Sequence, residues 1–142
     1  MLETKNIYKK IYLNKTFNSK QECLDYLKEL LKQENVSLEY IDSINKREED
    51  CSFNIGSKIA IPHGIYEGML SLKNSLIVVI HLQKPLIWDN SEVQLVIGLA
   101  LKQEDQIDML QNIAINAMND DLFNDLLKNP TIDKVISFCT KQ

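Results

Sequence analysis

A histidine directly follows a proline in the segment Ala60-Ile61-Pro62-His63-Gly64. The unperturbed pKa of histidine is about 6.5, so the neutral imidazole is available near pH 7 as a nucleophile. Pro62 fixes its own φ and restricts Ile61, which makes the chain leading to His63 stiff. This combination suits covalent chemistry on an electrophile such as phosphorus. The alternative is a structural histidine that only forms hydrogen bonds at the end of a strand.

Gly64, the residue after this histidine, has no side chain beyond its α-carbon. A missing Cβ would let a large partner or an anion come close to the backbone. The N–H groups that follow Pro62 would then add hydrogen-bond donors to the site.

Arg47 is the only arginine among sixteen basic residues. A guanidinium offers five N–H donors in a planar fork that matches phosphate oxygens, which a lysine ammonium does not. A single arginine in a lysine-rich chain therefore indicates a bidentate task. The alternative is a surface residue, or an ion pair with Glu48 or Glu49.

The remaining polar groups favour structural roles. His81 follows an apolar run and reads as a hydrogen-bonded strand residue, and Trp88 reads as a loop anchor. Paired carboxylates fit helix ends and solvated faces. The three cysteines lie far apart in the sequence, and we expect them to be small buried residues. Together with only two histidines, they do not have the close spacing typical of zinc ligands. No Ser-His-Asp spacing, P-loop or dinucleotide fingerprint is present, so we expect neither a metal nor a cofactor.

The composition is that of one globular domain, residues 1–142, with a formal charge of −4 and a pI near 5.2. The slight acidity and the lack of a basic stripe argue against direct nucleic-acid binding. The longest apolar runs are far shorter than the roughly 20 residues that span a bilayer, and residues 1–5 contain no signal core. We therefore expect a cytoplasmic protein.

Helix signals come first along the chain, after a strand or irregular lead-in at residues 5–13. Ser19 with Glu22 resembles a capping box for a helix over residues 20–33. Ser37 caps a second helix, which places Arg47 near its C-terminal end. Leu38, Ile41 and Ile44 are the predicted buried side of that helix.

Strands follow in the middle of the chain. Ile59–Ile61 reads as a short strand that must end, or lie at an edge, at Pro62. Continuous apolar runs at 75–82 and 93–101 predict central strands covered on both faces, with a turn-rich stretch around Pro85 and Asp89-Asn90-Ser91 between them.

Helices return in the last third of the chain, where two apolar stripes and a final helix capped by Thr131 are predicted. The first stripe holds Ile107, Leu110, Ile113, Ala114, Ala117 and Met118, and the second holds Leu122, Phe123, Leu126 and Leu127. The element order predicts a three-layer α/β/α domain with a mixed central sheet flanked by helices.

Several of these segments, taken in order, carry a family resemblance: Arg47-Glu48, Ile55-Gly56, the residues 59–64 around His63, 85–89 and 93–100. Together with the closing helices they resemble the type 2 enzyme IIA domains of the mannitol and fructose class. These domains belong to the bacterial phosphoenolpyruvate-dependent sugar phosphotransferase system. The resemblance spans nearly the whole chain and agrees with the three-layer fold.

The resemblance implies a phosphocarrier. The family's phosphorylated histidine falls on His63, which would accept a phosphoryl group from the phosphocarrier protein HPr and pass it to an enzyme IIB domain for sugar uptake. The family's active-site arginine falls on Arg47, which would clamp the phosphoryl oxygens. HPr would dock on an apolar patch around the histidine, with Ile65, Tyr66, Met69 and Leu70 as contributors. The membrane is involved only indirectly, through enzyme IIC.

One position departs from the family. Many members carry a second active-site histidine after the last strand, where this chain has Gln106. An amide donates a hydrogen bond but takes up no proton, which puts rapid onward transfer in doubt. Two other hypotheses therefore stay open. One is a phosphorylation-sensing domain of a transcriptional regulator, and the other is a binding module without phosphate chemistry. The sequence identifies neither the sugar nor the oligomeric state.

Overall fold

The computed structural model describes residues 7–140, which form five strands and six helices. The strands are β1 Ile7–Lys15, β2 Asn54–Gly56, β3 Ile59–Ala60, β4 Ser75–Trp88 and β5 Ser91–Ala100. The helices are α1 Lys20–Gln33, α2 Leu38–Asp50, α3 Tyr66–Met69, α4 Gln103–Ala117, α5 Asp120–Lys128 and α6 Ile132–Thr140. The N-terminal segment 1–5, used above for the expected location, and Asn6 of the predicted lead-in lie outside the described residues.

The five strands form one mixed sheet in the order β1-β4-β5-β3-β2. β1 runs parallel to β4 and β3 runs parallel to β5, whereas β4–β5 and β2–β3 are antiparallel. The predicted mixed sheet is therefore confirmed. The lead-in is a strand, β1, and it forms one edge of the sheet.

Alternation along the two central strands divides the core into two layers. Leu76 and Val78 face a cluster that contains the buried side chains of α1 and α2. Ile77 and Val79 face a second cluster with those of α4, α5 and α6. Both faces of the sheet are covered, which explains why these strands read as continuous apolar runs and confirms the three-layer architecture.

The long hairpin of β4 and β5 corrects one prediction. The stretch around Pro85 is not a turn, because β4 continues to Trp88 and pairs with Ser91 across the two residues Asp89 and Asn90. Pro85 lies where the pairing register shifts, between His81 and Leu86. An irregular stretch of this kind tolerates a residue that cannot donate to the ladder. The turn predicted at Asp89-Asn90-Ser91 is confirmed, and Asp89 lies in the left-handed region with φ 63°.

The helix starts follow the predicted caps. Ser19, Ser37 and Thr131 each accept a hydrogen bond from a backbone N–H in the first turn of the helix that follows. Glu22 accepts from the N–H of Asn18 rather than that of Ser19, so the reciprocal contact begins one residue earlier. Among residues 7–140, every helix is too short or too polar to cross a lipid bilayer.

The apolar stripes of three helices were predicted partly wrongly. Leu38 is exposed, and the buried face of α2 consists of Tyr40, Ile41, Ser43 and Ile44. In the α4 stripe, Ile107, Ala114 and the C-cap residue Met118 are exposed, while Met109, Asn112 and Ile113 of the helix are buried. Leu122 is exposed at the start of α5. Each of these helices has more apolar residues than it can bury, so spacing alone does not select the inward face.

Candidate functional site

His63 lies just beyond the end of β3, where Pro62 stops the strand as predicted. The chain stays beside β5, because the N–H of Leu99 donates to the carbonyl of Pro62 at 2.8 Å and His63 forms an isolated parallel bridge with Leu99. The imidazole is half-buried. Strand β5 therefore holds the backbone beside the ring.

One nitrogen of the His63 ring is fixed by the backbone. Nδ1 lies 2.8 Å from the carbonyl oxygen of Ile61. A carbonyl only accepts hydrogen bonds, so Nδ1 carries the proton and Nε2 keeps its lone pair. Within the described part of the chain, Nε2 has no hydrogen-bond partner. The neutral ring thus has one anchored and one available nitrogen.

The electrostatic surroundings favour this neutral form. Burial, which disfavours the charged ring, is the main cause that lowers the pKa of His63 below 6.5. The hydrogen bond to Ile61 acts in the opposite direction, and the positive charge of Arg47 lowers the pKa of His63 further. The imidazole is therefore unprotonated, and able to act as a nucleophile, at neutral pH.

Arg47 is brought to the same site from the last turn of α2. Its side chain is half-buried, and its charge acts on the His63 ring. The alternative ion pair with Glu48 or Glu49 is not formed among residues 7–140. An anion on His63 would therefore be within the field of the Arg47 charge.

Gly64 has a different role from the one predicted. A Cβ at this position would fall 2.7 Å from a ring carbon of Tyr40 and closer still to Oγ of Ser43. Glycine is required for close packing against α2, and Gly64 is buried. Its missing side chain therefore opens no path to the backbone for a partner or an anion.

Two of the backbone donors after Pro62 are also occupied. The N–H of Gly64 donates to the hydroxyl of Tyr40 at 2.9 Å, and that hydroxyl donates to the carbonyl of Leu99. The N–H of Ile65 donates to Oγ of Ser43 at 3.1 Å. These two amides hold the histidine loop on α2 and are not available to a phosphoryl group, so the expectation of added donors is wrong for Gly64 and Ile65.

Sequence reasoning missed Tyr40 and Ser43 as part of the site. A usable signal existed, because positions 40, 43 and 47 recur at the i, i+3, i+7 spacing of one helix face. The face that carries Arg47 therefore also carries the two hydroxyls that fix the histidine loop.

Phe53 and Glu48 were also missed. The Phe53 ring lies against the imidazole, with the ring centroids 5.3 Å apart. The N–H of Phe53 donates to a carboxylate oxygen of Glu48 at 2.9 Å. No spacing in the sequence predicts these contacts, because the irregular segment 51–53 sets them.

Gln106 is the fourth residue of α4, the helix that follows β5. It is half-buried, and its side-chain oxygen is shielded from solvent without a hydrogen-bond partner among the described residues. It forms no hydrogen bond with His63 or Arg47 in this part of the chain. The structure therefore places Arg47 where its charge acts on His63, and leaves the Gln106 side-chain oxygen without a hydrogen-bond partner among the described residues.

The other candidates have structural roles. This role was predicted for His81, whereas Trp88, predicted as a loop anchor, is the last residue of strand β4. His81 and Trp88 are both buried in the core. Cys23 and Cys139 are buried, but Cys51 is exposed, which corrects the prediction of three buried cysteines. Residues 7–140 contain no group of three acidic, histidine or cysteine residues that would hold a metal.

Comparisons with known proteins agree with this architecture. The mannitol-specific phosphotransferase enzyme IIA component of Mycoplasma pneumoniae is 30% identical over 134 residues, 92% of this chain and 94% of that protein. A complex of enzyme IIA and phosphorylated enzyme IIB for mannitol from Escherichia coli contains a chain with TM-score 0.81 and 20% identity, covering 100% of this chain and 99% of that one. Nitrogen regulatory protein IIA-Ntr from Neisseria meningitidis gives TM-score 0.77 and 22% identity, covering 92% of both chains.

The family assignment rests on a sequence model as well as on these relatives. The model described as phosphoenolpyruvate-dependent sugar phosphotransferase system, EIIA 2, matches residues 7–142. The sequence model and the Mycoplasma pneumoniae relative both agree with the resemblance noted in the sequence. The chain therefore belongs to the EIIA 2 family of the phosphoenolpyruvate-dependent sugar phosphotransferase system.

Proposed function

We propose that this chain is a phosphocarrier, which accepts a phosphoryl group from phospho-HPr on His63 and passes it to an enzyme IIB domain for sugar uptake. The observation that carries the proposal is the anchored imidazole. Its Nδ1 is held on Ile61, and Nε2 keeps a free lone pair within the field of Arg47.

The transfer step needs little from the protein beyond placement and charge. Nε2 of His63 forms a bond to phosphorus as the bond from phosphorus to the donor's histidine nitrogen breaks, and the donor ring recovers that electron pair. No proton leaves His63, because Nε2 was unprotonated and Nδ1 keeps its proton on the Ile61 carbonyl. The Arg47 guanidinium offsets the negative charge of the equatorial oxygens.

A docking surface for HPr adjoins the site on α3. Tyr66 and Leu70 are exposed, and Ile65 is half-buried. Met69, which the sequence placed in the same patch, is buried in the core and drops out of it. Exposed apolar side chains beside a reactive group are typical of protein–protein contact sites. The partner that discharges His63 is proposed to use the same surface, and the Escherichia coli relative in a complex with phosphorylated enzyme IIB supports that partner.

Gln106 favours a second candidate, the phosphorylation-sensing domain of a regulator. An amide in place of the second histidine accepts no proton, so it gives less help to onward transfer. A phosphoryl group that stays on His63 would add a charge of about −1.5 to −2 and could change an interface. The two candidates differ in the fate of the phosphate.

The test is to charge the protein with phospho-HPr and map the modified residue by mass. An acid-labile phosphate on His63, absent from His63→Ala, is the expected result. Rapid loss of the label to an enzyme IIB domain would select the carrier, and a label that persists would select the sensor. Failure of the wild-type chain to take up phosphate would overturn both and leave a binding module.

A further inference from the structure

Phe53 contacts the candidate nucleophile directly, and it also contacts the residue that anchors the nucleophile. Its ring packs against the His63 imidazole at a centroid distance of 5.3 Å, with the ring planes inclined by 53°. Its carbonyl accepts a hydrogen bond from the N–H of Ile61 at 3.0 Å. Ile61 is the residue whose carbonyl fixes Nδ1 of His63. One residue therefore limits both the tilt of the imidazole and the position of its anchor.

The backbone of Phe53 is held in turn by a charged cluster. Glu48 accepts from the N–H of Phe53 with one carboxylate oxygen and pairs with Lys20 at 2.8 Å through the other. Lys20 also pairs with Asp89 at 2.6 Å, and Asp89 accepts from the hydroxyl of Ser52. We call Lys20, Glu48, Ser52 and Asp89 the loop clamp. It joins α1, α2 and the β4–β5 turn to the segment that carries Phe53.

These contacts form a continuous chain from an acidic side chain to the reactive ring. The hydrogen bonds run from His63 to the Ile61 carbonyl, from the Ile61 amide to the Phe53 carbonyl, and from the Phe53 amide to Glu48. The Glu48 side chain is only 10% exposed, so solvent screens this end of the chain poorly. Such an arrangement is suited to hold a nucleophile within a narrow range of positions.

We propose that Phe53 is a positioning residue for His63, and that the loop clamp, through Glu48, keeps Phe53 in place. The inference deepens the proposed function and rests on it where the effect is read as phosphoryl transfer. A purely structural role is the alternative, because Phe53 is 2% exposed and belongs to the core.

The test pairs Phe53→Leu with Phe123→Leu. Phe123 is an equally buried phenylalanine, 5% exposed, in the core cluster on the other face of the sheet. Both changes remove aromatic atoms from a core. We expect Phe53→Leu alone to lower kcat for phosphoryl acceptance from phospho-HPr by about 10-fold to 100-fold, with KM for phospho-HPr nearly unchanged.

A nitrogen NMR spectrum of the imidazole supplies a readout independent of phosphate. In the wild type and in Phe123→Leu, His63 should be mainly the tautomer protonated on Nδ1. In Phe53→Leu the tautomers should mix as the Ile61 anchor loosens. Equal kcat values and unchanged His63 signals in the two variants would overturn the proposal. If the wild type accepts no phosphate, the proposed function fails and the imidazole signals alone decide the positioning role.

A second pair of variants leaves the core intact. Glu48→Ala removes the acceptor of the Phe53 amide, and Glu49→Ala is its control, an exposed neighbour outside the loop clamp. We expect Glu48→Ala to shift the His63 signals in the same direction as Phe53→Leu and to lower kcat by about 3-fold to 10-fold. Identical behaviour of the two alanine variants would show that the loop clamp does not position Phe53.

Discussion

The two histidines of this chain follow apolar strand residues and have opposite surroundings. His81 is 1% exposed, and both of its nitrogens are engaged, with Nε2 2.8 Å from the carbonyl of Leu127 and Nδ1 accepting from the N–H of Asn14. His63 is half-buried and has one engaged nitrogen. The comparison shows that a histidine is a candidate nucleophile when the lone pair of one ring nitrogen accepts no hydrogen bond from the rest of the protein.

The largest expected contrast lies in phosphate uptake. We expect His63→Gln to lose acceptance from phospho-HPr completely, because an amide has no nucleophilic nitrogen to form the phosphorus bond. His81→Gln should keep a rate close to that of the wild type, since His81 takes no part in the site. Radiolabel incorporation measures both. Label on the His63→Gln protein would show that another residue is the nucleophile and would contradict the proposed difference between His63 and His81.

Arg47→Lys gives the next largest effect. The ammonium keeps the positive charge but loses the planar fork, so we expect the rate of acceptance to fall by about 100-fold, close to 2.7 kcal/mol in the barrier. Lys46→Ala, the exposed neighbour, is the matched control. Single-turnover transfer from phospho-HPr measures both rates, and an unchanged rate in Arg47→Lys would mean that charge alone suffices beside His63.

Leucine at each histidine position separates the structural roles. His81→Leu leaves the buried carbonyl of Leu127 without its donor, which should lower the free energy of unfolding by about 1–3 kcal/mol. His63→Leu should cost less, because it removes one hydrogen bond from a half-buried ring, whereas His81→Leu removes two from a ring that is 1% exposed. Urea denaturation followed by circular dichroism measures both losses. The reverse order of losses would contradict the contrast in burial.

The smallest effect is a pH dependence. The pKa of His63 is lowered in the folded chain, chiefly by burial, so the unfolded chain binds more protons just below pH 6.5. The free energy of unfolding should therefore fall as the pH drops from 6.5 toward that lower pKa, and the His63 contribution should be flat above this window. In His63→Gln this component of the slope should disappear. Equal slopes in the two proteins between pH 7.5 and pH 5 would show that the ring titrates alike in both states.

The architecture could be predicted from the sequence because the patterns of apolar residues and the helix-capping residues are pronounced. Continuous apolar runs marked the central strands, and Ser19, Ser37 and Thr131 marked three helix starts. It did not predict that Pro85 lies within a strand, since the register shift that accommodates it arises from pairing with β5. Nor did it predict that Leu38 is exposed, because tertiary packing decides which of the apolar residues of α2 are buried.

The site was predicted at the two residues whose chemistry is unusual in this chain, His63 and Arg47. The supporting residues were not, because their roles come from contacts between distant segments. Tyr40 meets Gly64 across 24 positions, and Phe53 meets the imidazole through an irregular loop. Gly64 shows the limit most clearly. The sequence suggests that glycine at this position makes room for a ligand, but the structure shows that it makes room for the side chains of α2.

The loop clamp also determines how the segments that it joins can unfold locally. Its ion pairs and hydrogen bonds join the first residue of α1, the end of α2 and the tip of the long hairpin to one short segment. None of these pieces can fray without breaking contacts of the others, so they form one cooperative unit. Amide hydrogens of Phe53 and Asn54 should therefore exchange with solvent at a common rate, one shared with the hairpin tip more than 30 residues away.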